Sequence, residues 1–161
     1  MANHDLIGCN IACDILSFDV RLVFDTTTVI AAIRSDAGAS RRVLVAGLER
    51  RFTMLVSVPL LIEYEAVMTQ QEHLVASRMS VADVAILLDA VVAVAERVVL
   101  QFLWRPLLSD ADDDMVLETA ANGRADAIVT FNRRHFAPAT RQFGIDVLSP
   151  SDAVYRLEKT S

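Results

Sequence analysis

Residues 21–25 read RLVFD, and residues 127–132 read AIVTFN. In both stretches a short apolar run leads into a polar residue, Asp25 in the first and Thr130 in the second. A run of this length and composition predicts a strand buried on both faces of a sheet. Further runs of the same kind lie at residues 52–57, 97–100 and 145–148.

Segments with helical signals separate these predicted strands. Ser40 and Ser80 are suited to capping the starts of helices over 41–50 and 81–96. Other helices are predicted over residues 28–33, 59–70, 71–78, 115–122 and 150–158. The most apolar helix, 81–96, contains charged residues, which indicates a buried helix rather than a membrane span. The alternation predicts an α/β fold with a mostly parallel sheet of about five strands, covered on both faces.

The composition restricts the possible chemistry. The chain has 161 residues, a net charge of −6 and a pI of about 5.0. This length fits one domain, and the acidic balance argues against broad, sequence-independent nucleic-acid binding. Lys159 is the only lysine. Sites that need an interior lysine, such as the P-loop and Schiff-base enzymes, are therefore excluded.

The amino-terminal stretch differs from the rest. Residues 1–19 do not fit the strand and helix pattern, so we assign them to an extension and residues 20–161 to the domain. No secretory signal is evident. Cys9 and Cys13 lie away from any Cys/His cluster, which argues against zinc and disulfides. We expect a cytoplasmic protein without a membrane span.

Asp25 is the leading candidate for a functional residue. It follows four residues suited to a buried strand, and in parallel α/β sheets functional sites lie beyond the carboxyl ends of the strands. A carboxylate buried there is unfavourable unless it is paired or bound to a metal. Two interpretations stay open: Asp25 only caps the following helix, or it is a metal ligand.

An acidic run, DADDD at residues 110–114, precedes a predicted helix. One or two acids at a helix start are favourable on electrostatic grounds alone. Four carboxylates within five residues repel one another, and a cation would relieve that repulsion. Asp113 shares a helical face with Leu117 and Ala120, so we expect Asp113 to be the ligand.

Three further positions are candidates. Glu63 lies beside the apolar face of the helix over 59–70, although a solvated glutamate is the ordinary interpretation of such a position. Asn132 follows the fourth predicted strand, where it could orient a water or simply serve as a turn or cap residue. Arg133 and Arg134 come next and could contact a phosphate backbone, or lie on an ordinary surface. Oxygen ligands without His or Cys favour Mg²⁺ or Mn²⁺, and such a metal suits phosphodiester hydrolysis.

The order of these motifs resembles that of PIN-domain proteins, and most of all the toxin components of bacterial toxin–antitoxin systems. The similar stretches are RLVFDTTTVIAAI, SVPLLIEYEAVM, DADDDMVLETAANGRADAIVTFN and DVLSPSDAV. The resemblance implies a three-layer α/β/α domain and a Mg²⁺- or Mn²⁺-dependent endoribonuclease that acts as the toxin of a type II system. It also implies a homodimer and a cognate antitoxin. Carried over by motif, Asp25, Glu63 and Asp113 are the acidic metal ligands, and the fourth acidic place falls on Asn132.

Departures from the family pattern keep an alternative open. Thr27 stands where the family usually has Asn, Asn132 replaces an acid, and His135 stands where relatives tend to carry Asp. The alternative is a catalytically degenerate PIN domain that serves as a dimerising, antitoxin-binding or RNA-binding module. A phosphatase of the haloacid dehalogenase type is disfavoured, because its second loop aspartate and its lysine are missing.

Overall fold

The computed structural model describes residues 20–103 and 111–160. Its five strands are β1 (Arg21–Phe24), β2 (Thr53–Ser57), β3 (Glu96–Val98), β4 (Ala127–Val129) and β5 (Asp146–Leu148). Its helices are α1 (Thr26–Arg34), α2 (Ala39–Leu48), α3 (Val58–Met68), α4 (Gln71–Ser77), α5 (Val81–Val94), α6 (Ala111–Asn122), α7 (Arg133–Phe143) and α8 (Pro150–Thr160). The predicted extension, residues 1–19, lies outside the described residues, so its boundary stays a prediction.

The strands form one parallel sheet in the order β3-β2-β1-β4-β5. β1 is central: Leu22 pairs with Met54 on one side and with Ala127 on the other. Leu22, Val23 and Phe24 are buried, as expected of a strand with helices on both faces. The predicted α/β class with a parallel sheet of five strands is confirmed.

The predicted strands all appear, with bounds shifted by one or two residues at half of their ends, but several details of the helices differ. Ser40 is buried inside α2 and does not cap it; the N-cap residue is Gly38, whose N–H donates to Ser35 Oγ at 3.0 Å. Helix α7 was not predicted, because Pro138 lies in the middle of this helix and proline normally interrupts helices. Ser80, by contrast, does cap α5 in a reciprocal capping box with Asp83.

Helix α5 is half-exposed, which corrects the prediction that it is buried. Val84, Leu88 and Val91 face the core, whereas Val81, Ile86 and Val92 are more than half exposed. The helix is apolar on nearly all sides, so its hydrophobic content did not reveal which face packs inward. No helix in the described ranges is long and apolar enough to cross a membrane.

The turn between α6 and β4 explains why a glycine follows α6. Gly123 follows α6 directly, but the residue in the left-handed conformation is Arg124, with φ of 51°. A Cβ atom on Gly123 would lie 2.8 Å from the Thr119 carbonyl oxygen and 2.9 Å from Leu55 Cδ1. Gly123 is therefore required for close packing of the helix end against the sheet.

Candidate functional site

Asp25 follows β1 directly, at the carboxyl edge of the sheet. Its N–H donates to the Val129 carbonyl oxygen at 3.0 Å, which extends the pairing of β1 with β4 by one residue. Its own carbonyl oxygen accepts from the N–H groups of Thr28 and Val29 and so begins helix α1. The Asp25 side chain makes no capping hydrogen bond to that helix. Capping therefore does not account for its carboxylate.

The Asp25 carboxylate is 3% exposed and is held by two hydroxyl groups. Thr27 Oγ1 donates to Asp25 Oδ2 at 2.5 Å, and Thr130 Oγ1 donates to the same oxygen at 2.6 Å. Within the described residues no Lys, Arg or His forms an ion pair with Asp25, and Oδ1 accepts no hydrogen bond. Burial of a carboxylate with so little compensation is unfavourable, and a bound cation would offset it.

Tyr64 ties helix α3 to the end of β1. Its buried hydroxyl donates to the Phe24 carbonyl oxygen, one residue before Asp25. Burial raises the pKa of Tyr64 well above its usual value, and the negative charge of Asp25 raises it further. The hydroxyl therefore stays protonated and keeps donating. Glu63 is the preceding residue on α3 and is half-buried, so the same contact fixes the helix that carries it.

Helix α6 places its acidic first turn near the same edge. Its other end lies at the amino edge of the sheet, where Arg21 Nη2 donates to the Gly123 carbonyl oxygen at 2.9 Å. Asp113 and Asp114, at the start of α6, are therefore displaced toward the carboxyl edge by roughly 15 Å, at 1.5 Å per residue. Both are buried, and Asp114 is the deeper at 2% exposed. Asp110 and the side chain of Asp112 lie outside the described residues.

Asp113 contacts His135 of helix α7, which follows β4 in the chain. His135 Nδ1 lies 3.0 Å from Asp113 Oδ2, and the His135 side chain is more than half exposed. This contact brings the start of α6 and the start of α7 together at the carboxyl edge. It also occupies one oxygen of the carboxylate that we expected to bind the metal.

Asn132 and the two arginines lie at the start of α7. Asn132 takes the N-cap position, but its side chain makes no capping hydrogen bond and is exposed. Its backbone N–H donates to Thr130 Oγ1 at 2.9 Å. Arg133 Nη1 lies 3.4 Å from Asp152 Oδ2, and the Arg134 side chain is exposed. All three positions are at the predicted edge, whereas their roles stay predictions.

The structure does not gather the three predicted ligands around one point. Within residues 20–103 and 111–160, no three His, Cys, Asp or Glu side chains form a group that could hold a metal ion. Asp25 Oδ2 is turned toward Thr27 and Thr130, and Asp113 is turned toward His135. The donor types nevertheless suit a hard cation, because buried carboxylates supply oxygen ligands only.

Several contacts of the site were missed at the sequence level. The Thr130 hydroxyl bridges Asp25 and Asn132, and the Thr27 hydroxyl partly replaces the amide that the family pattern led us to expect. The ligand role was predicted for Asp113 and not for Asp114. Seven of the ten positions 113–122 of α6 are buried, so helical spacing alone could not distinguish Asp114 from Asp113.

Comparison with known proteins identifies the family. No curated protein matches the chain. A family profile described as a PIN domain matches residues 21–134, which is more than half of the chain and includes every predicted site residue. The parallel five-stranded sheet agrees with that assignment. The chain therefore belongs to the PIN-domain family.

Proposed function

We propose that this protein is a Mg²⁺- or Mn²⁺-dependent endoribonuclease that acts as the toxin of a type II toxin–antitoxin system. PIN domains are generally divalent-metal-dependent nucleases that act on RNA. The observation that carries the proposal is the Asp25 carboxylate, which is buried at the carboxyl edge of the central strand without a basic partner among the described residues. Such a carboxylate is suited to binding a cation.

The residues that would hold the metal are Asp25, Glu63 and Asp113, with Asp114 as an additional buried carboxylate. When bound, the ion would lower the pKa of an attacking water and neutralise charge on the phosphate. Thr27 and Thr130 both hold Oδ2 of Asp25, which orients the carboxylate and leaves Oδ1 available. Tyr64 anchors the helix that carries Glu63 against the end of β1.

The remaining predicted residues lie where an RNA strand would cross this edge. Asn132 is exposed beside Thr130, and we propose that it orients a water or the substrate. Arg133 and Arg134 would contact phosphates on either side of the cleaved bond. Because the Arg133 guanidinium lies near Asp152, it would have to leave that contact to bind RNA.

Nuclease activity is tested with the purified full chain and a fluorescent single-stranded RNA. Asp25→Asn should lower Mn²⁺-dependent cleavage by at least about a hundredfold, because the ion loses a charged ligand. Asp146→Asn, an exposed change at the start of β5 on the amino edge of the sheet, is the matched control and should cleave like the wild type. If wild type and Asp25→Asn leave the same residual cleavage, the activity is contamination and the proposal fails.

A non-catalytic binding module is the second candidate. The contact between Asp113 and His135 favours it, because that contact engages a carboxylate that a nuclease would use for its metal. Calorimetric titration with Mn²⁺ separates the two candidates. Saturable binding that is lost in Asp25→Asn would argue against a degenerate domain, and absence of binding to the wild type would support one.

The proposed partners are a second copy of the chain and a cognate antitoxin. Exposed apolar side chains of α5, namely Val81, Ile86 and Val92, support dimerisation, since exposed apolar surface often marks interfaces. Analytical ultracentrifugation of wild type and Ile86→Glu tests that part. The antitoxin and a cytoplasmic location belong to the toxin proposal and would be tested by co-purification from the native host.

A further inference from the structure

Two buried hydroxyl groups connect helices α3 and α6. Ser57 ends β2 and is the N-cap residue of α3, and Thr119 lies on α6. The two residues are 1% and 0% exposed, and Ser57 Oγ lies 2.7 Å from Thr119 Oγ1. Since α3 carries Glu63 and α6 carries Asp113, this contact joins the two helices that hold predicted metal ligands.

The direction of each hydrogen bond at this contact follows from its neighbours. A threonine hydroxyl has one hydrogen, and Thr119 donates it to the Met115 carbonyl oxygen at 2.7 Å. The Ser57 hydroxyl is therefore the donor to Thr119 Oγ1. Ser57 Oγ in turn accepts from the Leu60 N–H at 3.4 Å, in the first turn of α3. One directed chain of hydrogen bonds thus runs from the start of α3 into α6.

This chain and the Tyr64 contact hold α3 at two points. The Ser57 hydroxyl holds the first turn of α3 against α6. The Tyr64 hydroxyl holds the second turn against the Phe24 carbonyl oxygen at the end of β1. Glu63 directly precedes Tyr64, so its backbone is fixed relative to both α6 and the end of β1.

The hydroxyl pair also sets the spacing between two of the predicted ligands. Glu63 follows Ser57 by six residues. Asp113 precedes Thr119 by the same number. Each of these acids therefore lies about 9 Å from the contact along its own helix, at 1.5 Å per residue. A set of ligands has to be held within about 0.5 Å of its working geometry, so a shift of α3 against α6 would disturb it.

We propose that Ser57 and Thr119 are positioning residues of the metal site, which set the spacing between Glu63 and Asp113. This role rests on the metal-dependent nuclease proposed above. In the part of the chain that the structure describes, the carboxylates of Asp25, Glu63 and Asp113 do not surround one point, so they have to turn toward an ion. With both helix backbones held by the hydroxyl pair, that adjustment is confined to side-chain rotation. Neither hydroxyl is itself a proposed ligand.

A hydrogen bond that only stabilises the core would have a different effect, because it would leave the metal affinity of the folded chain unchanged. Thr140 on α7 provides this comparison. Its buried hydroxyl donates to the Phe136 carbonyl oxygen at 3.0 Å, four residues earlier, as the Thr119 hydroxyl does on α6. Within the described ranges, the Thr140 hydroxyl makes no hydrogen bond to another helix.

Isothermal titration calorimetry of the full chain with Mn²⁺ tests the proposal, at a temperature where every variant is folded. Thr119→Val keeps the shape of the side chain but removes the hydroxyl, and Thr119→Ser restores it. Thr140→Val is the matched control, since it removes the bond to the earlier carbonyl and leaves the contact between α3 and α6. Thermal melts followed by circular dichroism measure the stability of each variant.

We expect Thr119→Val to weaken Mn²⁺ binding by about tenfold, equivalent to about 1.4 kcal/mol. Thr119→Ser should bind like the wild type. Thr140→Val should lower the melting temperature but bind Mn²⁺ like the wild type. Ser57→Ala breaks the same bond as Thr119→Val, so the double variant should bind no more weakly than the weaker of the two single variants.

Two outcomes would overturn the positioning role alone. One is Mn²⁺ binding that Asp25→Asn abolishes and Thr119→Val leaves unchanged; the other is an equal loss of affinity in Thr119→Val and Thr140→Val. Absence of Mn²⁺ binding to the wild type would overturn both this role and the metal-dependent nuclease. Weaker Mn²⁺ binding in Thr119→Val, in a protein that cleaves no RNA, would support the positioning role and refute the nuclease alone.

Discussion

Replacing Thr130 with valine removes the hydroxyl that links Asp25 to the start of α7. Thr130 is fully buried, and valine has nearly the same shape. The change removes the hydroxyl that donates to Asp25 Oδ2 at 2.6 Å and accepts from the Asn132 N–H at 2.9 Å. We therefore expect a loss of stability larger than the change in volume alone would cause.

The magnitude follows from these two hydrogen bonds. A hydrogen bond to a charged group contributes about 1.5–3 kcal/mol and a neutral one about 0.5–1.5 kcal/mol. The added methyl group recovers about 0.8 kcal/mol of apolar burial. We expect Thr130→Val to lower the free energy of unfolding by about 2 kcal/mol. For 161 residues this corresponds to a decrease in Tm of about 4–8 °C.

Urea denaturation followed by circular dichroism measures the effect. Thr130→Ser keeps the hydroxyl and serves as the control for lost packing. A double-mutant cycle with Asp25→Asn isolates the contact between the two side chains, and we expect a coupling energy of about 1–2 kcal/mol. A coupling energy below about 0.5 kcal/mol, or equal losses in the valine and serine variants, would refute the reasoning.

Two further predictions concern the amino edge of the sheet. Hydrogen bonds from Arg21 lower the pKa of Glu96; burial partly opposes this effect, and the positive charge of Arg21 adds to it. The pair therefore stabilises the fold above about pH 4.3, the usual pKa of a glutamate. This contribution is lost as the pH falls through the lowered pKa of Glu96. Because the pair is exposed to solvent, Glu96→Gln should lower the free energy of unfolding by at most about 1 kcal/mol at pH 7. The urea midpoint of the variant should also fall less steeply with decreasing pH than that of the wild type. Parallel curves for the two proteins would contradict this prediction. Gly123→Ala should destabilise by about 2 kcal/mol through its clash with the Thr119 carbonyl and Leu55, whereas Arg124→Gly should stabilise by about 1 kcal/mol by relieving a positive φ. Thermal melts that rank these two variants in the opposite order would refute that interpretation.

Much of the fold could be predicted because strand burial and residue composition agree. Strand β1 is apolar and buried from Leu22 to Phe24, and a parallel sheet covered by helices is where such a strand is stable. Helix α7 could not be predicted, since Pro138 argues against a helix, whereas Phe136 and Thr140 of the same helix are buried in the folded chain. Local propensity and tertiary packing disagree there, and packing prevails.

The sequence predicted where the candidate site lies, but it did not predict the contacts within the site. The carboxyl edge and Asp25 follow from the rule that functional groups lie beyond parallel strand ends. The hydrogen bond between Asp25 and Thr130 does not follow from this rule, because Thr130 is distant in the chain and its role depends on the register of β1 with β4. The depth of Asp114 and the pairing of Asp113 with His135 depend on how α6 and α7 pack, which helical spacing does not specify.

The hydrogen bond between Thr130 and Asp25 spans 105 residues, and this separation has a consequence during protein synthesis. β1 is synthesised first, but one of its two neighbours, β4, is made much later. At about 5–20 residues per second, the interval between the two is roughly 5–20 s. The Asp25 site is therefore completed only after Thr130 has been translated, and nascent chains that stop before Thr130 lack its hydroxyl.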